Sequence, residues 1–173
     1  MKKTIIRYGL FGAFSGGALF LSGILLGHEL DYSIQEVVGY VTIIAALSFI
    51  YFGIKHFRDR QNGGQIRFAQ GVVIGLSITA LVGLGIAVAD YLYISVFNPN
   101  FAQEFLEVSI EKLNDNYSGQ ELRDRTDQLR KDVKAYGDSF SLALIMFVTV
   151  LIIGTAISII SSLVLKTSKK VIV

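Results

Sequence analysis

Residues 55–67 read KHFRDRQNGGQIR and lie between two long apolar runs. Lys55, Arg58, Arg60 and Arg67 face a single acid, Asp59. Asn62-Gly63-Gly64 is a turn signal, because asparagine and glycine tolerate positive φ. A basic knot this short forces the runs on either side into an antiparallel pair. The side of a membrane on which it sits fixes the side of everything else.

Working outward, the run before the knot is uncharged from Val37 to Ile54 and is read as a span over about 37–57. At 1.5 Å per residue it just crosses a hydrocarbon core of about 30 Å. Tyr40 and Tyr51 lie near its ends, where amphipathic rings favour the interface. The run after the knot covers 68–97 and is apolar nearly all round. Gly71, Gly75, Thr79, Gly83 and Ala87 recur every fourth residue, which lines one face with small side chains. Asp90 is the one acid inside this run. An acid within a span is a functional candidate by default. Its distance from Phe68, about 33 Å by helical rise, instead sets it at the far interface beside Tyr91 and Tyr93.

Two further runs complete the pattern. The first, about 5–27, follows Lys2, Lys3 and Arg7. It exceeds a signal-peptide core of 7–15 residues and no A-x-A-like cleavage site follows, so it reads as a retained span. Gly12–Gly16 and Gly23–Gly27 have the four-residue spacing that lets helices approach closely. Packing against a neighbouring span of the same chain is preferred to dimerisation. The last run, 139–165, carries a third small-residue seam at Gly154, Ser158 and Ser162, and KTSKK then stops it with Lys166, Lys169 and Lys170.

Between the third and fourth runs the material changes. Asn98-Pro99 breaks the helix, and residues 99–138 are polar but helical in pattern. Ala102, Leu106, Ile110, Leu113 and Tyr117 form one apolar stripe; Leu122, Leu129, Val133 and Tyr136 form a second, with Thr126 in the missing step. Asn114–Gly119 reads as a turn, and Ser118 with Glu121 has capping-box spacing. The expectation is a two-helix hairpin outside the bilayer. Its mixed charges suit a solvated face better than a binding patch.

Composition agrees. Charged residues are 17% of the chain against about 25% in soluble domains, and mean hydropathy is +0.54. A charge at a bilayer centre costs roughly 3 kcal/mol or more, which explains their confinement to the links. A net charge of +2 gives no case for nucleic acid. With no cysteine there is no disulfide, thiolate metal site or thiol nucleophile. The fold class expected is all-α: one membrane domain of four transmembrane helices with an extracytoplasmic hairpin.

Alternation of four spans puts the N-terminus, the knot and KTSKK on one side, with ten of the sixteen Lys/Arg. Short loops rich in Lys/Arg stay in the cytoplasm, so both termini are expected there. The His28–Glu36 link, HELDYSIQE, and the hairpin fall outside.

At the knot the residues become recognisable. The stretch from Ile43 to Leu76 resembles the signature region of a bacterial family of four-span membrane proteins catalogued as a domain of unknown function. That family has an FFGIK-like end to its second span, then a YRD and NGG loop. Here these are Tyr51-Phe52-Gly53-Ile54-Lys55, Phe57-Arg58-Asp59 and Asn62-Gly63-Gly64. A KYGL-like opening matches Arg7-Tyr8-Gly9-Leu10. Where family members tend to carry Gly-Lys after the loop, this chain has Ala69-Gln70, so no role of that lysine carries over. The resemblance implies the bacterial inner membrane as location and supplies no reaction.

Catalytic constellations are missing from the sequence. His28 and His56 fall on opposite sides in this topology, and no HExxH, P-loop or GxSxG is present. Neither an enzyme nor a cofactor is expected. The first functional reading is a structural or accessory component of the inner membrane, held to the lipid bilayer and to a membrane-protein partner or a homo-oligomer. The second is an oligomeric transporter of small solutes or ions, with Asp90, Ser77, Thr79 and Thr149 as its sparse polar candidates. A third has the knot bind anionic lipid headgroups, at about 1 kcal/mol per Lys/Arg; enforcement of topology is the simpler reading of those charges. The candidate residues are therefore Asp90 on the third run and Lys55, Arg58, Asp59, Asn62, Gly63 and Gly64 in the knot.

Overall fold

The computed structural model describes residues 1–27 and 32–167, and these are helical with no strand among them. The helices are α1 (Lys2–Leu26), α2 (Tyr32–His56), α3 (Phe68–Leu92), α4 (Phe101–Asn116), α5 (Gly119–Tyr136) and α6 (Ser139–Leu165). π-Helical turns at Phe57–Gln61 and Tyr93–Phe97 extend α2 and α3. Four helices are long and apolar enough to cross a membrane: Lys2–Leu26, Ile34–Gln61, Phe68–Phe97 and Ser139–Leu165. Their outward faces stay apolar, as at Phe14 (82% exposed), Ile152 and Val164. Water would not tolerate so much contiguous apolar surface, and lipid does.

Two boundaries differ from the sequence reading. The link after α1 is shorter, because α2 already starts at Tyr32. The second span also runs on through half of the knot to Gln61, since nothing before Asn62 breaks a helix. Gly63 (φ +61°) and Gly64 (φ +77°) then supply the left-handed turn, and the Gly64 N–H donates to the Arg58 carbonyl at 2.8 Å. His28, Lys169 and Lys170 lie outside the described residues.

The inner pair of the bundle is α2 and α3, with α1 on one side and α6 on the other. Ile50, Ile54, Ile74, Ile78, Val82 and Val150 are fully buried between them. Each small-residue seam is consumed inside the protein. Gly71 meets Ser162, Gly75 meets Ser158, Thr79 meets Gly154, and Gly83 meets Val150. One helix steps up four residues as the other steps down four, so α3 and α6 are antiparallel and their two seams face each other. Gly12 meets Phe49 and Val82, and Gly16 meets Ala46 and Ile86. A Cβ on Gly17 would sit 2.9 Å from the Gly85 carbonyl oxygen, so α1 and α3 approach backbone to backbone. The expected intramolecular role of the first seam is the one observed.

α4 and α5 pack on each other and hold no buried residue. The capping box expected at Ser118 does not form; Ser118 stands at the N-cap, and its side chain makes no cap bond. Glu121 is engaged elsewhere. It accepts from Arg125 at 2.9 Å, and that guanidinium lies 4.0 Å over the Tyr117 ring. The connection between the helices is thus closed by a Glu–Arg–Tyr clamp instead.

Candidate functional site

The candidate residues separate to opposite ends of the bundle. At one end the knot binds the tail of α6. The Arg58 guanidinium donates to Asp59 at 2.6 and 3.2 Å, and its Nη1 reaches the Leu165 carbonyl at 3.5 Å. A cation at a helix C-terminus complements the helix dipole. The Ile66 N–H donates to Thr167 Oγ1 at 2.8 Å, and the Thr167 N–H returns to the Ile66 carbonyl at 3.0 Å. The Asn62 side chain donates to the Gln65 carbonyl and shapes the turn. Gln70, standing where the resemblance would have lysine, accepts the Arg67 N–H at 3.1 Å and so caps α3. Lys55, Asp59, Gly63 and Gly64 are exposed. Tyr8 packs against Gly53 and lies 5.5 Å from the His56 ring, so the two stretches that carry the resemblance touch. This end ties the knot to the end of α6.

At the other end a cavity of about 470 Å³ opens among all six described helices. Asp90 lies on its wall and is only 6% exposed, and no described residue hydrogen-bonds to its carboxylate. Its side chain faces inward, into the bundle. Tyr91, by contrast, is 43% exposed. The π-turn explains part of this geometry. Asn98, unable to continue an α-helix before Pro99, donates its N–H to the Tyr93 carbonyl at 2.8 Å. The widened turn buries both Tyr93 and Ile94, and both line the cavity below Asn98. Tyr93 meets Phe101 edge-on, with ring centroids 6.2 Å apart, which joins the end of α3 to α4.

The cavity was not legible as such in the sequence. Its α2 wall is Gln35, Glu36, Gly39, Tyr40 and Ile43, a single helical face. The signal is there in this spacing, but Gln35 and Glu36 fall within the polar link of the sequence reading. Asp132 on α5 and Glu36 sit at the rim, and Glu36 lies 3.9 Å from Lys112 Nζ. Of the polar candidates for a transport path, Thr149 lines the cavity with Asp90, whereas Thr79 is buried against Ser158 at 3.4 Å and Ser77 bonds back to its own helix. The α6 helix enters the wall through a cap that sequence reasoning missed: Asp138 accepts the Phe140 and Ser141 N–H groups at 3.1 and 3.0 Å.

Compared with known families, residues 7–167 match the model of a family described as a protein of unknown function, DUF4199. No curated protein and no solved structure matches the chain.

Proposed function

We propose, from the premise that this chain belongs to the DUF4199 family of proteins of unknown function, that it is a non-enzymatic accessory protein of the bacterial inner membrane that holds a small apolar-bodied molecule. Both termini and the basic knot are cytoplasmic, and the α4–α5 hairpin stands outside as a roof over the cavity. The observation that carries this reading is the cavity itself. Its volume of about 470 Å³ falls in the range of small-molecule sites, roughly 300–1,000 Å³, and its lining is mostly apolar with few polar groups.

Binding fits better than transport. Beyond the cavity the bundle is filled: Leu47, Ile50, Ile74 and Ile78 are fully buried, and the α3–α6 seam is closed by direct contact of Gly71 with Ser162, Gly75 with Ser158 and Thr79 with Gly154. A partner protein or a second copy would meet apolar outer faces, because the small-residue seams are already occupied.

Gly39 offers the test. A Cβ there would meet only the Phe20 ring, at 3.9 Å, so a larger side chain can grow into the cavity without disturbing the backbone. In nanodiscs, equilibrium dialysis with labelled neopentylbenzene is expected to show retention by the natural protein and loss of that retention in Gly39→Leu. Equal retention by the two proteins, both of this probe and of its ammonium isostere benzyltrimethylammonium, overturns the reading.

A further inference from the structure

We propose that the molecule held in the cavity is an organic cation with its charge on a tertiary or quaternary nitrogen, and that Asp90 is its counter-charge. This rests on the cavity-binding reading and adds the ligand class.

Asp90 is the first reason. It lines the cavity, is 6% exposed and has no hydrogen-bond partner among the described residues. A buried carboxylate without a partner is costly, and a bound cation removes that cost. No lysine or arginine lines the cavity among the described residues.

The rings around the acid are the second reason. Phe20, Tyr40, Tyr93, Phe101 and Phe105 line the same space. Aromatic faces attract cations electrostatically, and an alkylated ammonium among several rings uses this most fully. Aromatic walls beside one deep carboxylate suit a cation with an apolar shell.

The third reason is the charge at the mouth. The carboxylates of Glu36 and Asp132 favour the approach of a cation, although Glu36 is partly offset by Lys112. A tertiary ammonium brings one N–H donor, which Asp90 can accept, and a quaternary one brings none.

The experiment compares two probes of nearly equal shape, benzyltrimethylammonium and its uncharged isostere neopentylbenzene. Dialysis uses the full chain in phosphatidylglycerol nanodiscs, with Gly39→Leu discs as the blank for partition into lipid. The cation is expected to bind more tightly than the isostere. Asp90→Asn is expected to weaken the cation on the order of tenfold or more and leave the isostere unchanged. Equal affinity of the two probes for the natural protein overturns the cation inference while the cavity reading stands. Retention of neither probe above the blank overturns both. Should Asp90→Asn fail to fold, the ratio of the two probes on the natural protein decides alone. Repeating the titration in phosphatidylcholine discs separates two sources of the same chemistry. Displacement of the probe supports a lipid headgroup as the natural cation, and undiminished binding supports a free solute.

Discussion

Gly75 of α3 and Ser158 of α6 face each other so closely that a Cβ on Gly75 would lie 2.6 Å from the serine Oγ and 2.7 Å from its Cβ. Rotating the hydroxyl relieves the first contact and leaves the second, which only a helix shift can relieve. Gly75→Ala is therefore expected to destabilise the bundle by about 1–3 kcal/mol, the usual cost of overpacking. Gly39→Ala, with only a 3.9 Å contact, is expected to be neutral or stabilising by up to about 1 kcal/mol from helix propensity. Unfolding in detergent micelles, followed by circular dichroism, measures both. Equal effects of the two substitutions would show that the seam does not set the helix spacing.

The contrast between these glycines also shows what the sequence could tell. Seams made by residues four apart are local patterns, and Gly71–Ala87 and Gly154–Ser162 can be read from spacing alone. That the two seams face each other follows once α3 and α6 are antiparallel. Asp90 was legible as the one acid of its run, but its inward direction depends on which faces of α2, α3 and α6 converge under α4 and α5. That is set by packing between distant parts of the chain. The missed capping box at Ser118 has a local cause: Glu121 had two suitors, and Arg125 with Tyr117 took it. The cap at Asp138 was visible in principle, since an aspartate stood just before the last apolar run.

The proposed topology can be checked through single cysteines, because the natural chain has none. Gln120→Cys lies at the start of α5 and Arg60→Cys in the exposed part of the knot. An impermeant maleimide is expected to label the first in intact cells and the second only after the inner membrane is opened. The reverse pattern would invert both termini and the roof of the cavity.

Thr167 closes the knot on α6 with one hydroxyl. That hydroxyl accepts the Ile66 N–H, and Ile66 is 2% exposed. Thr167→Val keeps the shape and leaves the amide without its acceptor, at a cost of about 1–3 kcal/mol. Thr167→Ser restores an acceptor and is expected to recover most of the loss. Thermal unfolding of the three proteins in one detergent tests this. A valine variant as stable as the natural protein would mean that water serves the amide equally well.

Asp138 gives the fold a pH dependence whose sign can be worked out. Hydrogen bonds from the Ser141 hydroxyl, then from the Ser141 and Phe140 backbone N–H groups, hold its carboxyl below the usual carboxylate range. In the unfolded chain the group titrates near its ordinary value of about 3.9. A carboxyl with a depressed folded pKa stabilises the fold in full above its unfolded pKa, and that contribution is lost as pH falls through the folded value. The carboxylate also sits at the N-terminus of α6, where the helix dipole favours negative charge. Asp138→Ala is thus expected to be less stable than the natural protein by a constant margin from neutral pH down to about pH 5. Below about pH 4 the margin should shrink as the natural carboxyl takes up its proton. Asp138→Asn keeps a neutral acceptor for the same N–H groups, so its margin against Asp138→Ala should not change with pH. The two variants share every other acid of the chain, which cancels the general acid response. A margin between natural protein and Asp138→Ala that stays unchanged through this range would show that the cap acts by geometry and not by charge.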